Sequence, residues 1–425
     1  MSDKRTCLYD HHVALNAKMV SFGGFEMPLQ YTDIVDEHNA VRHHCGVFDV
    51  SHMGEVLVSG VQAKAFVQYI FTNDISTLDD GKTIYGMMLH ENGGTIDDLL
   101  VYKMADDRFF LVINAANIDK DFSWIAAQAE KFDVKVDNQS GYYGQLAVQG
   151  PESEADVEQY LGLECKELAF YTFKTIEHED EMLIVSRTGY TGEDGFEIYG
   201  SQQYIVRAWE KLMASGVVKP CGLGCRDTLR FEVGLPLYGD ELSDEITPLE
   251  AGLGMFVKLT KESDFVGKQA LTAQKAAGLT RKIVGIELSD RAIPRHGYEV
   301  VNADEKVIGY VTTGYNTPST GKSVCMAMVE MDYAKLGTEI SVRIHRKLHP
   351  GVVTKKRFYE KNYTSSRSVF SLYFLHPYTI YPAQAKPESL SRQGCGSALR
   401  PQQFQRPSYP QGEFSADTAR IYALL

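Results

Sequence analysis

Two adjacent carboxylates, Asp97 and Asp98, stand in Gly93-Gly-Thr-Ile-Asp-Asp-Leu-Leu-Val-Tyr-Lys103, at the head of an apolar, strand-forming run. A carboxylate is costly to bury unpaired, so one set among apolar neighbours points to a lined cavity, where its charge can orient a reactant or stabilise developing positive charge. The preceding Glu91-Asn92-Gly93-Gly94 carries the Asn-Gly pair of a tight hairpin turn, which makes Ile96 to Lys103 a strand. Alternation then puts Asp97, Leu99 and Val101 on one face and Ile96, Asp98, Leu100 and Tyr102 on the other. The same spacing fits two aspartates at a solvated hairpin end, and the residues alone leave both readings open.

A second acidic group lies in Arg187-Thr-Gly-Tyr-Thr-Gly-Glu-Asp-Gly-Phe-Glu-Ile-Tyr199. Its glycines do not form a dinucleotide fingerprint, because such a motif opens a helix, whereas Gly-Phe-Glu-Ile-Tyr alternates like a strand. Glu197 and Tyr199 share one face of that strand, opposite Phe196 and Ile198. Glu193 and Asp194 read as solvated turn residues. Arg226 follows a glycine turn in Cys221-Gly-Leu-Gly-Cys-Arg-Asp-Thr-Leu-Arg, in the first turn of a helix. The helix dipole does not favour a cation there, which suggests a specific polar partner; an intrahelical Asp227–Arg230 pair is the plainer reading of the same spacing. Cys221 and Cys225 lack a second ligand pair for zinc, and His38, His43, His44 and His52 lack the paired spacing of a metal site, so no metal is expected. Neither a Gly-x-Ser-x-Gly elbow nor a phosphate-binding Gly-x-x-x-x-Gly-Lys-Ser/Thr loop is present.

The elements that must position these groups alternate irregularly. Gly54 to Val58 reads as a strand, residues 61–72 as a helix with Ala63, Phe66, Val67, Ile70 and Phe71 on one face, Arg108 to Asn114 as a strand, and Asp119 to Phe132 as a helix. This is α+β rather than a strict βαβ repeat. A second mixed segment spans Gly144 to Leu259, and a strand-rich third, Arg281 to Tyr363, reads as a small β-barrel. The expected division is 1–275 for two mixed domains and 276–363 for the barrel. Residues 364–425 differ: they hold six of the fourteen prolines and carry six Lys or Arg against three Asp or Glu, reversing the sign of the chain's charge. That tail reads as disordered or non-native.

A net charge of −13 argues against general nucleic-acid binding, and seven scattered cysteines suit a reducing compartment. No signal-peptide core opens the chain and no apolar run reaches membrane-spanning length, so a cytoplasmic protein is expected.

Six ordered motifs together resemble the T proteins of the glycine cleavage system, the tetrahydrofolate-dependent aminomethyltransferases. They are Met19 to Pro28, Gly46 to Met53, Gly93 to Val101, Arg187 to Glu197, Gly222 to Gly239 and Ala292 to Gly297, collinear within a match from about Leu8 to Tyr363. The resemblance implies three domains in a cloverleaf arrangement around a central folate site. It implies release of ammonia from the aminomethyl-lipoyl arm of an H protein, with transfer of the methylene group to tetrahydrofolate. By position it assigns catalysis to Asp97, folate contacts to Glu197, Arg226 and Tyr363 and aromatic pocket positions to Tyr85 and Tyr190, and places Arg295 where the lipoyl arm enters. A folate-dependent demethylase of a small methylated substrate and a non-catalytic folate-binding protein are the alternatives.

Overall fold

The computed structural model describes residues 3–361; the tail from 364 and Tyr363 lie outside the described residues. Three β units organise the chain. The first is a five-stranded antiparallel sheet, in spatial order Lys82–Leu89, Thr95–Ala105, Arg108–Ile113, Gly54–Ser59 and Lys135–Asn138. The second has six strands, in order Phe173–His178, Glu181–Ser186, Gly195–Ser201, Tyr143–Gln149, Gly46–Asp49 and the short Lys219–Pro220. The third is a closed six-stranded barrel built from Arg281–Leu288 through Lys347–Thr354, as the strand-rich text of that segment implies.

Each sheet has one face buried under its own helices. In the first, helices Ala63–Ile70 and Ile118–Ala129 set Phe66, Val67, Ile70 and Ile125 against Val56, Val58, Leu99, Val101 and Leu111. In the second, helices Ser153–Leu161 and Gln202–Ala214 set Val157, Leu161, Ile205 and Trp209 against Leu146, Val148, Phe196 and Ile198. Alternation leaves the opposite faces to meet one another. Tyr102, Phe110 and Val112 pack on Phe173, Ile184 and Tyr199, and the hydroxyls of Tyr102 and Tyr199 hydrogen-bond at 2.9 Å. The barrel closes the third side, with Tyr315, Val324, Met326 and Met328 against Met87, Leu89 and Phe231.

The carboxylate-bearing strand is tightly placed. Ile96 is an extra residue in the ladder, since Met88 pairs with Asp97 but Leu89 pairs with Thr95. Gly94 lies so close to Asp244 that an added Cβ would fall 1.8 Å from its carbonyl oxygen. Thr95 donates from its backbone N–H to Ser243 O and from its hydroxyl to Ile246 O, pinning the strand's start to that loop. No helix among the described residues is long and apolar enough to cross a membrane.

Candidate active site at the meeting of the two sheets and the barrel

The strand Thr95–Ala105 points its two aspartates to different worlds. Asp97 turns toward its own helical layer and is wholly buried. One of its oxygens accepts from the Asn114 backbone N–H at 2.9 Å; the other accepts from Asn114 Nδ2 at 2.7 Å and Asn117 Nδ2 at 3.0 Å. Asp98 turns to the shared face, beside Leu100 and Tyr102. Tyr85 Oη donates to its Oδ2 at 2.8 Å and Asn114 Nδ2 to its Oδ1 at 2.9 Å. Burial, and then the charge of Asp97, raises the Asp98 carboxyl to about 7. Asp98, Tyr85 and Tyr190 nevertheless keep partial solvent contact, while burial raises the pKa of each. Groups that are desolvated yet touchable line a recess in the protein rather than its outer surface.

The second sheet and the helix Leu223–Glu232 supply the opposite wall. Glu197 accepts from Gln145 Nε2 at 3.1 Å through one oxygen and from the Thr188 hydroxyl through the other. Burial raises its pKa against the opposing pull of Thr188 and Arg226. The Arg226 guanidinium stacks 4.9 Å from the Tyr190 ring, whose hydroxyl donates to Pro236 O. Burial lowers the Arg226 pKa despite the attraction of Glu197. Arg226 Nη1, His52 Nδ1 and Gln145 Oε1 are buried without a hydrogen-bond partner among the described residues. His52 faces both Asp49 and Arg226, and burial drops its pKa to about 4, so the ring is neutral near pH 7. Unpaired buried polar atoms around a recess are the mark of a site whose donors and acceptors are meant for a ligand.

Arg226 sits where it does because its helix is capped from elsewhere. The Glu37 carboxylate accepts from the N–H groups of Tyr31, Thr32 and Gly222, the last being the residue that starts the helix. The glycine turn is a close approach: a Cβ on Gly222 would lie 2.3 Å from Leu29 O. Glu37, Cys221 and Cys225 bring three possible ligand atoms within 4.8 Å of one another, but both Glu37 oxygens are already taken by backbone donors. The Asp227–Arg230 pair expected from spacing is present at 2.6 Å, and it coexists with an Arg226 turned into the recess.

The structure thus brings Tyr85, Tyr190, Glu197 and Arg226 to one recess, with Tyr171 close to Glu197. It does not bring Asp97 there. Strand alternation correctly separated the aspartates, but the sequence does not say which face looks toward the other sheet, and Asp98 is the one that does. Glu193 and Asp194, expected as solvated, instead pair with Arg42 at 2.9 Å and with Arg187. Of the four histidines, His38 and His52 are buried and His43 and His44 exposed, with no shared centre. Arg295 lies in the barrel, 5.8 Å from the Tyr315 ring, with Nη1 buried and unpartnered among the described residues. Tyr315 donates to Asp227, the neighbour of Arg226, so Arg295 borders the same region. Sequence reasoning missed Asn114, Asn117 and Gln145. The available signal was weak: amide side chains in or just after apolar strands, with Asn117 three residues beyond Asn114.

The chain matches the family model described as the GCVT N-terminal domain over residues 8–261 and the glycine cleavage T-protein C-terminal barrel domain over residues 281–360. It is 48% identical over 364 residues to an aminomethyltransferase of Caldanaerobacter subterraneus subsp. tengcongensis, covering 85% of this chain and 97% of that one. It is 50% identical over 348 residues to an aminomethyltransferase of Clostridium botulinum (strain Okra), covering 81% and 94%. Among solved structures it is similar to the glycine cleavage system aminomethyltransferase T from Bartonella henselae, at 33% identity and a TM-score of 0.81, covering 85% of this chain and 99% of that one.

Proposed function

The chain belongs to the glycine cleavage T-protein family and is an aminomethyltransferase, and we propose that the recess between its sheets and barrel binds tetrahydrofolate with Asp98 as the catalytic carboxylate. The donor is the aminomethyl group on the lipoyl arm of an H protein. Its amino nitrogen leaves as ammonia, its carbon–sulfur bond breaks to free the lipoyl thiol, and two new carbon–nitrogen bonds hold the methylene carbon on folate.

The observation that carries this reading is the pairing of two under-satisfied walls. Glu197 uses one acceptor site on each oxygen for Gln145 and Thr188, and a carboxylate has about four such sites, so it can still take the adjacent amino and ring N–H donors of a pterin. Arg226 Nη1, buried and without a hydrogen-bond partner among the described residues, offers a donor to a carbonyl or carboxylate of the same ligand. Tyr190 and Tyr85 give flat walls. Asp98, held by Tyr85 and Asn114, faces the place where cationic iminium character would develop on transfer, and a preorganised negative charge there lowers the barrier without any covalent nucleophile. The walls keep water from the reactive carbon. Arg295 fits the entry of the lipoyl arm and Tyr363 a further folate contact, both from the resemblance of their positions.

Two variants test the assignment. Asp98→Asn keeps shape and removes charge, so turnover with aminomethylated H protein should fall on the order of 10²-fold or more while folate still binds. Wild-type turnover would remove Asp98 from the mechanism. Glu197→Gln should weaken folate binding by about 1.5–3 kcal/mol in calorimetry, the scale of a charged hydrogen bond; unchanged affinity would take Glu197 out of the site.

A further inference from the structure

Behind Asp98 lies a second acidic group that the chemistry above does not use. Asp121, on the helix Ile118–Ala129, is wholly buried, and neither oxygen has a hydrogen-bond donor among the described residues. Burial and the adjacent Asp97 carboxylate push its pKa up to about 11, with Asp97 placed to accept a hydrogen bond from the protonated acid. The charged groups around the pair are few. Lys120 Nζ lies 3.6 Å from Asp121 Oδ1 but donates to Ile96 O and, at 3.0 Å, to the Tyr238 hydroxyl, and Tyr238 feels both Asp97 and Asp121. Two buried carboxylates side by side cannot both ionise cheaply, so the pair holds one proton and one charge.

The link to the recess is Asn114. Its Nδ2 reaches Asp97 Oδ1 at 2.7 Å and Asp98 Oδ1 at 2.9 Å, so its two amide hydrogens are divided between the aspartates. Only the NH₂ group can face two carboxylates, which fixes the amide's orientation. The Asn114 backbone N–H, bound to Asp97 Oδ2 at 2.9 Å, locks the residue at the end of its strand. We infer that Asp97, backed by Asp121, is a positioning residue for the reaction: through Asn114 it aims Asp98. The charge of Asp97, held beside Asp98, also opposes ionisation of that carboxyl. The groups that face Asp98 besides Asp97 and Asn114 are Tyr85 from the neighbouring strand and Tyr190 from the second sheet's loop.

This inference rests on Asp98 being the catalytic carboxylate, and the experiment separates the two. The pH profile of kcat, at saturating tetrahydrofolate and aminomethylated H protein, is recorded for the wild type and four variants. Asp98→Asn should abolish the acidic limb along with turnover; a normal profile there would sink the underlying assignment. Given that result, Asp97→Asn removes the repelling charge, so the acidic limb should move down by about half a pH unit or more, with kcat reduced about tenfold and KM for folate little changed. Asp121→Asn replaces a neutral acid with a neutral donor and should leave the limb in place. Asp121→Leu strips Asp97 of its donor, leaves its charge less compensated and should move the limb up. That variant keeps the test alive if Asp97→Asn does not fold. A merely structural pair would lower melting temperature without moving the limb in either direction, and that outcome, or a shift in Asp121→Asn equal to that of Asp97→Asn, would overturn the inference.

Discussion

Two arginines, the buried Arg42 and the half-buried Arg226, show how differently one residue type is used. Arg42 is saturated. Its Nη1 donates to Thr191 O at 2.7 Å and Glu193 at 2.9 Å, its Nη2 to Leu229 O at 3.2 Å and Glu232 at 3.0 Å, and its face lies 4.4 Å from the Tyr359 ring. Glu232 also accepts from the backbone N–H and hydroxyl of Ser319 in the barrel, and His38 closes the network through Thr228 and Ser319. Arg226 is only half-buried as a residue, yet its Nη1 is buried and has no partner among the described residues, beside a Glu197 with acceptor capacity to spare. A saturated network joins parts of a fold, whereas an unsaturated one stores binding capacity at a cost in stability.

Breaking the saturated network should have the largest effect on stability. Arg42→Ala removes the guanidinium that Glu193 and Glu232 share inside the protein, so unfolding free energy should drop by about 3–5 kcal/mol in urea titration. A loss below about 1 kcal/mol, the scale of an exposed pair, would mean the two arginines are not different in kind.

The unsaturated side should respond in the opposite sense. Asp98 has a folded-state pKa of about 7, above that of an unfolded aspartate, so its ionisation destabilises the fold in full above pH 7. Asp98→Asn should therefore raise stability at pH 8 by about 1–3 kcal/mol, and the gain should shrink toward pH 5 as the native carboxyl regains its proton. No gain at pH 8 would show that the recess holds the charge without strain. Arg226→Met should likewise keep or raise the melting temperature while weakening folate binding by about 1.5–3 kcal/mol.

The pH dependence sharpens the contrast. Burial would raise Glu232, yet its partners hold it down to about 2. Among those partners the hydrogen bond and charge of His38 come first, ahead of Arg42 and Ser319, while burial lowers the pKa of His38 itself. A depressed carboxyl contributes stability above its unfolded pKa and loses it on acidification. The stability gap between wild type and Glu232→Gln should be constant above pH 5 and close between about pH 4.5 and 2. The smallest effect is expected at the rim. Arg295→Glu should raise KM for H protein severalfold with little change in KM for folate, and equal changes would move Arg295 away from the arm's entry.

Much of this was legible in the text of the chain. The Asn-Gly turn and period-two runs gave the strand that became Thr95–Ala105, and the glycine-rich 187–199 segment was correctly denied a dinucleotide role because its strand, Gly195–Ser201, follows the turn. Glu197 was read as an acidic residue inside a strand, and it is one. The turn carboxylates Glu193 and Asp194 were misread: Arg42 reaches Glu193 from a distant helix, which a local pattern cannot reveal, and Arg187, seven residues before Asp194, folds back across the turn to pair with it.

Asp97 and Asp98 mark the boundary most clearly. Sequence alone determined that they sit on a strand and point in opposite directions, and it raised without settling the prospect that one is held where a charge is costly. These are consequences of a two-residue period and of the water affinity of a carboxylate, and both are properties of the local chain. Which aspartate meets the recess was decided by which face of the sheet the helix Ile118–Ala129 covers, leaving the other to Tyr190, Glu197 and Arg226 from residues about a hundred positions away. That choice depends on long-range burial, which assigns each face of a strand to a partner the strand's own residues do not name.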